Sequence, residues 1–161
     1  LWCFVRMFFK APSGRKRFNV LCALNAISHE MIVITNTGYI NAYSVCELLI
    51  KMTQNYGDLP ISIVLDNARY QKCKLVQATA KLFDIELLYL PPYSPNLNLI
   101  ERMWKFVKKK CLYSKYYPDF DSFTKAISQC LAKTDSHYKK ELSSFLSLKF
   151  QSFSKSQITT C

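Results

Sequence analysis

The feature that most constrains the fold is a short, largely apolar run, Ile61 to Asp66, between two segments of helical periodicity. The segments on either side, residues 41–56 and 72–83, place apolar side chains three and four positions apart. A continuously apolar strand between helices is typical of a central parallel strand covered on both faces. The sequence therefore predicts β-α-β units.

The remaining patterns extend this prediction to an α/β fold, a mixed sheet with helices on its faces. Strands are predicted at residues 1–10, 18–28, 31–35 and 85–90, with an antiparallel turn at His29 and Glu30. Further helices are predicted at residues 98–111, 122–132 and 139–150. We expect one domain over residues 1–150 and a flexible Ser- and Lys-rich tail at residues 151–161.

Composition indicates the class of partner. The chain has 22 Lys and Arg residues against 11 acidic residues, a net charge of +11, which favours nucleic acid ahead of a membrane surface. Charge alone fits a basic protein without such a partner equally well. No apolar run approaches the roughly 20 residues of a membrane-spanning helix, so we expect no membrane association. Seven widely spaced cysteines and two distant histidines argue against a zinc site or a disulfide framework, and favour reduced thiols.

Two carboxylates stand where chemistry is possible. Asp66 ends the apolar strand, and ligands of open α/β sheets bind at that edge, although an Asp there more often caps the next helix. Glu101 follows a Pro-rich approach, three residues after Asn98, which can cap a helix. Glu101 could serve only as the partner in a capping box, or could pair with Lys105 four residues later.

A resemblance to a known family runs through both carboxylates. Asp66-Asn67-Ala68, followed by Pro91-Pro-Tyr-Ser-Pro-x-Leu-Asn-x-Ile-Glu101, resembles the signature of mariner-superfamily transposases, nearest to their bacterial insertion-sequence branch. The 34 residues between Asp66 and Glu101 match the spacing of that branch. The resemblance covers about residues 2–131 and departs at Leu99, where many relatives carry Pro.

The resemblance implies an RNase H-like fold and a DDE catalytic domain that cleaves and transfers DNA strands. Three carboxylates of such a domain hold two Mg²⁺ or Mn²⁺ ions, and Asp66 and Glu101 would be the second and third. The first would lie on an initial strand, yet no Asp or Glu occurs before Glu30. We therefore expect a chain truncated at its N-terminus, without the first catalytic Asp, without a helix-turn-helix region, and inactive as it stands.

The partners implied are transposon ends and target DNA, bound by a homodimer in the cytoplasm, at the nucleoid. Phosphate contacts supply affinity rather than sequence choice. The basic residues proposed for them are Arg15, Lys16, Arg17, Arg69, Lys72, Lys105, Lys108, Lys109 and Lys110.

Two rival functions remain open at this point. One is a non-catalytic basic fragment of a transposase that binds DNA or dimerises, and the other is a nuclease on the same fold. Among the other side chains, Trp104 is predicted to belong to the core and His29 to be exposed in its turn. Tyr93 lies beside the expected site. The tyrosines at 113, 116 and 117 are predicted to pack between helices.

Overall fold

A computed structural model describes residues 16–91 and 98–146 of the chain. No helix in these two ranges is both long enough and apolar enough to cross a membrane. The elements, in chain order, are β1 (Asn19–Leu24), β2 (Met31–Asn36), α1 (Ala42–Tyr56), β3 (Ile61–Leu65), a 3-10 turn (Arg69–Gln71), α2 (Lys74–Leu82), β4 (Ile85–Tyr89), α3 (Leu99–Cys111), α4 (Phe120–Ala132) and α5 (Lys139–Phe145).

The strands form one antiparallel pair and one parallel pair. β1 runs antiparallel to β2, with Leu24 opposite Met31, and β3 runs parallel to β4, with Leu65 opposite Tyr89. Within the described ranges no backbone pairing joins the two pairs. Both antiparallel and parallel pairing are therefore present, as the prediction of a mixed sheet requires, but in two separate strand pairs.

The first hairpin turns earlier than the sequence pattern predicted. β1 ends at Leu24 rather than at residue 28, because the Asn25 side chain accepts hydrogen bonds from the backbone N–H groups of Ile27 and Ser28. Such a local turn competes with the strand ladder. His29 adopts a left-handed backbone with φ of 61°, and its Nδ1 lies 3.1 Å from the Ser143 hydroxyl of α5. The prediction that His29 is merely exposed was therefore wrong.

Two apolar clusters lie on opposite faces of the antiparallel pair. One cluster joins α1 and α2 to inward residues of all four strands, among them Ile34, Ile63 and Ile85. The other joins α3, α4 and α5 to the opposite face of β1 and β2, where Val20 and Val33 contact it. Because strand side chains alternate between faces, the antiparallel pair is covered on both sides.

The parallel pair is covered on one face in the described part of the chain. Val64 and Leu88 lie opposite each other on the outer face and are 54% and 44% exposed. The prediction that residues 61–66 are covered on both faces does not hold there, because α3, α4 and α5 pack over β1 and β2 instead.

Helix α3 buries a slightly different face from the one predicted. Met103, Val107 and Cys111 are buried as expected, whereas Ile100 and Trp104 are only partly buried against the same cluster. Phe106, which the pattern missed, is fully buried, with the rings of Tyr138 and Phe145 edge-on to it at 5.7 and 5.5 Å. The contacts come from α5 and the residue before it, which helical periodicity within α3 cannot reveal.

Most other helix boundaries are close to the prediction. Asn41 caps α1 in a reciprocal capping box with Ser44, and Asp119 caps α4, which begins two residues early. α2 begins two residues late, since residues 69–71 form the 3-10 turn. The predicted strand at residues 1–10, the tail at 151–161 and Tyr93 lie outside the described residues. In the described ranges the five cysteines are free thiols, as predicted.

Replacing Phe106 with Ala tests the second cluster. Because this ring is fully buried, we expect the free energy of unfolding to fall by about 3–5 kcal/mol. Leu82→Ala is the control, since Leu82 is exposed, and its effect should stay within about 0.5 kcal/mol. Urea denaturation followed by circular dichroism measures both, and equal effects would contradict the packing described.

Candidate active site

Asp66 occupies the first position after β3 and is exposed. One carboxylate oxygen accepts a long hydrogen bond, 3.4 Å, from the backbone N–H of Ala68. Asp66 does not cap the following helix, because the N-cap of α2 is Cys73. The commoner structural role of an Asp after a strand is therefore not the one that Asp66 plays, and among the described residues only the Ala68 N–H donates to its carboxylate.

Asn67 ties together the chain segments that leave β3 and β4. Its backbone is left-handed, with φ of 72°, a conformation that Asn tolerates better than most residues. Its side-chain amide donates a hydrogen bond to the backbone carbonyl of Leu90. The backbone N–H of Leu90 in turn donates to the carbonyl of Leu65 at 2.9 Å. Asp66 thus projects from a turn anchored on both sides.

Residues of the 3-10 turn hold the segment after Asp66 through hydrogen bonds. The buried Gln71 side chain accepts a hydrogen bond from the Ala68 N–H at 3.2 Å, and the Tyr89 hydroxyl donates to the Gln71 carbonyl at 3.1 Å. Burial raises the pKa of the Tyr70 hydroxyl, and the negative charge of Asp66 adds to the rise. Tyr70 therefore lies within electrostatic range of the Asp66 carboxylate as a neutral phenol.

Glu101 lies in the first turn of α3 and is exposed. The side chain of Asn98 caps the helix by accepting the N–H of Ile100 at 3.0 Å. The Glu101 side chain makes neither a capping box with Asn98 nor an ion pair with Lys105 in the described part of the chain. Both structural alternatives raised by the sequence are therefore absent there, and the carboxylate is available to a ligand.

The two carboxylates stand on segments that leave adjacent parallel strands at the same end. Asp66 follows β3 directly, and Glu101 opens the helix that follows β4, beyond residues 92–97. All eleven acidic residues lie in the described ranges, and among the described His, Cys, Asp and Glu residues no three form a group that could hold a metal. Two oxygen-bearing side chains that suit a hard cation are present, but not three.

Some of the basic residues predicted to contact phosphate lie over aromatic rings, and others do not. The Lys16 ammonium lies 5.5 Å from the Phe120 ring centre, and the Arg17 guanidinium lies 4.9 Å from that of Tyr39. Lys109 lies over the Phe145 ring at 5.8 Å. Arg69, Lys105 and Lys108 are exposed and make no such ring contact with the described residues, whereas Arg15 lies outside them.

Electrostatics around the other basic residues is more specific than the sequence suggested. Lys110 pairs with Glu141 at 2.6 Å, while Lys72 lies 5.1 Å from the centre of the Tyr89 ring. The hydrogen bonds from the Ser122 backbone and hydroxyl hold the pKa of the Asp119 carboxyl below its usual value, with a smaller contribution from Lys16. Lys16 therefore lies beside the start of α4 rather than beside Asp66.

The tyrosines after α3 separate into two kinds. Tyr117 packs edge-on against Phe123 and donates its hydroxyl to the Cys111 carbonyl, as the prediction of helix packing requires. Tyr113 and Tyr116 are 60% and 52% exposed, so the prediction was wrong for them. Sequence reasoning also missed the roles of Tyr70 and Gln71, whose contacts with the turn depend on tertiary structure.

Comparison with known proteins places this geometry in a family. A family model described as DDE superfamily endonuclease matches residues 7–124. Domains of this family use divalent metal ions. An uncharacterized protein of Sinorhizobium fredii, y4pE/y4sA, is 35% identical over 49 residues, which are 30% of this chain and 34% of that protein.

Solved structures share the fold at low sequence identity. The catalytic domain of Mos1 mariner transposase matches with a TM-score of 0.55 at 15% identity, over 87% of this chain and 78% of that one. A chain of the simian T-cell lymphotropic virus intasome matches with a TM-score of 0.56 at 16% identity, over 72% of this chain and 41% of that one. A chain of the Mos1 paired-end complex with the left transposon end matches with a TM-score of 0.56 at 15% identity, over 90% of this chain and 49% of that one.

The family match confirms the DDE domain predicted from the sequence, and the structural matches confirm the predicted RNase H-like fold. The chain spans about a third of the length of its curated relative and about two fifths of the intasome chain.

Asn67 offers a test of the turn that carries Asp66. Asn67→Ala removes the hydrogen bond to Leu90 and places a less tolerant residue at positive φ, so we expect a loss of about 1–3 kcal/mol in unfolding free energy. Asn67→Gly should recover the conformational part only. Asn55→Ala, at an exposed position near the end of α1, is the control, and an equally large loss there would refute the proposed tie.

Proposed function

Because the chain belongs to the DDE superfamily endonucleases, we propose that it is the catalytic core of a DNA transposase of the mariner superfamily, which cuts DNA strands and joins them elsewhere. One observation carries the proposal. Asp66 and Glu101 follow adjacent parallel strands at one end, and neither is engaged in the structural role that would otherwise explain it.

The chemistry expected of these side chains is coordination of Mg²⁺ or Mn²⁺, with two ions in the complete enzyme. Carboxylate oxygens are preferred ligands of both hard cations. Paired ions activate the attacking oxygen and stabilise the leaving oxygen in phosphodiester displacement. Asp66 and Glu101 would hold them, while Asn67 positions Asp66 through its hydrogen bond to Leu90.

DNA is the partner that the charge supports. The net charge is +11, and exposed Lys105 and Lys108 follow Glu101 by four and seven residues on α3, which puts all three on one stripe. Arg69 is exposed three residues after Asp66. We propose that transposon ends and target DNA are bound along this surface by a homodimer, in the cytoplasm at the nucleoid.

The chain by itself is proposed to be inactive. Its carboxylates provide two ligands, and no third His, Cys, Asp or Glu of the described ranges groups with them. The first carboxylate would come from a strand encoded upstream. Among the described strands, each pair has edges without a partner strand, which such a strand could join.

Metal binding tests the two carboxylates in the chain as it exists. Titration with Mn²⁺, followed by electron paramagnetic resonance, should show weak binding that Asp66→Asn and Glu101→Gln each reduce. Asp58→Asn is the matched control, an exposed Asp in the turn before β3. Binding that survives the double variant would place the metal elsewhere and contradict the assignment.

Strand cleavage tests the activity. With Mg²⁺ and DNA carrying a transposon end, we expect no nicking by this chain, and nicking by a longer version that includes the upstream coding sequence. In the longer version, Asp66→Asn should lower the rate by more than the roughly 100-fold typical of losing an outer-shell partner of a metal. Nicking by this chain alone that Asp66→Asn abolishes would overturn the proposed inactivity.

A second candidate function is a non-catalytic fragment that binds DNA or dimerises with longer relatives. The high positive charge and the incomplete ligand set favour it. DNA binding that is unchanged in the Asp66→Ala, Glu101→Ala double variant, with no Mn²⁺ bound by the wild-type chain, would support this alternative. A nuclease on the same fold would instead cleave DNA without joining it.

A further inference from the structure

A small cavity opens between the end of α3, the loop after it and α4. Its volume is about 160 Å³, enough for a tetrahedral oxyanion with a few water molecules. No carboxylate belongs to its lining. The lining consists of Lys110, Cys111, Lys115, Tyr117, Ala126, Gln129, Cys130, Lys133 and Tyr138.

Three lysines bring positive charge to this cavity, and two of them lack a compensating carboxylate in the described part of the chain. Lys110 is neutralised by Glu141, at 2.6 Å. The Lys115 ammonium donates one hydrogen bond, 2.6 Å, to the Lys110 carbonyl and keeps two further N–H groups for a ligand. Lys133 stands just after the last residue of α4, and no ion pair occupies it among the described residues.

The thiols of the lining do not offset these charges. Burial raises the pKa of the Cys111 thiol to about 12, so it is neutral at pH 7, and burial also raises the pKa of Cys130. At Cys130 the hydrogen bond with Cys111, and then the ammonium groups of Lys115, Lys110 and Lys133, counteract part of that rise in pKa. The uncharged Cys111 thiol thus leaves the positive charges of Lys115 and Lys133 at the cavity uncompensated, whereas Lys110 is paired with Glu141.

The loop that carries Lys115 is held in place before any ligand binds. The backbone N–H of Tyr113 donates to the Lys108 carbonyl at 2.9 Å, and that of Lys115 donates to Leu112 at 3.2 Å. Ser114 adopts a left-handed backbone with φ of 58°, a conformation that costs energy for a non-glycine residue and marks a constrained turn. Preorganised donors bind an anion without paying to order the loop first.

We propose that this cavity binds a phosphate oxyanion of a nucleic acid backbone, through the ammonium groups of Lys115 and Lys133. The choice of nucleic acid as the source of the phosphate rests on the proposed function, whereas the preference for an anion rests on the cavity alone. Glu101 lies ten residues before Cys111 on the same helix, about 15 Å along its axis. At about 3.4 Å per nucleotide, the contact would fall four or five nucleotides from the metal-binding carboxylate.

The exposed rings of Tyr113 and Tyr116 flank the same loop and extend the surface available to a strand. Neither residue lines the cavity. The proposal therefore depends on the two lysines and not on base stacking.

Salt-dependent binding of duplex DNA to the full chain, measured by fluorescence anisotropy, tests the site. The slope of log K against log salt is negative, and losing one phosphate contact lowers its magnitude by about 0.9. We expect that decrease in Lys115→Ala, Lys133→Ala, and recovery in Lys115→Arg, Lys133→Arg. The matched control is the pair Lys74→Ala, Lys81→Ala on α2, exposed and remote from the cavity. An equal decrease in that control would overturn the proposal, because it would show only general loss of charge.

Inorganic phosphate distinguishes the source of the anion. Phosphate should raise the melting temperature of the wild-type chain above that in chloride of equal ionic strength, and the Ala pair should lose this shift. If the Ala pair loses the phosphate-induced melting shift but keeps the wild-type salt slope for DNA, the site binds an anion other than the nucleic acid backbone. If the Ala pair matches the wild type in both assays, the site itself is refuted. Circular dichroism of each variant checks folding. A missing Mn²⁺ response, or no nicking by the longer version, would count against the proposed function without altering the slope comparison.

Discussion

The hydrogen bond from the Asn67 side chain to the Leu90 carbonyl connects the two places where the chain leaves its parallel strands. A parallel pair brings its carboxyl ends to one edge, but each strand continues into a separate loop. The backbone hydrogen bond from Leu90 to Leu65 joins the same two segments, and Gln71 holds the turn through Ala68. Together these bonds fix the turn that presents the Asp66 carboxylate relative to the approach to α3.

Charge is distributed around this edge so that acidic and basic groups serve different purposes. Asp66 and Glu101 are among only 11 acidic residues in a chain with 22 basic ones, and neither is spent on a described ion pair. By contrast, Glu47 and Glu141 each neutralise a lysine. A carboxylate left open in so basic a chain is well suited to a cation, while the surrounding lysines favour a polyanion.

Much of the architecture was predictable because it depends on local pattern. The β-α-β order, the helix at residues 42–56 and the antiparallel hairpin follow from apolar spacing, which backbone geometry converts directly into faces. The errors occurred where distant residues decide. Phe106 is buried because Tyr138 and Phe145 reach it, and the outer face of β3 is exposed because α3 packs elsewhere.

The sequence by itself determined the family and the two carboxylates that stand out, because a motif at fixed spacing is written along the chain. Only the tertiary structure decided what those residues are free to do. It showed that Cys73, not Asp66, is the N-cap residue of α2, and that Glu101 joins neither a capping box nor a described ion pair. Hydrogen bonds and ion pairs depend on distances in space, which spacing in sequence leaves open for every polar side chain.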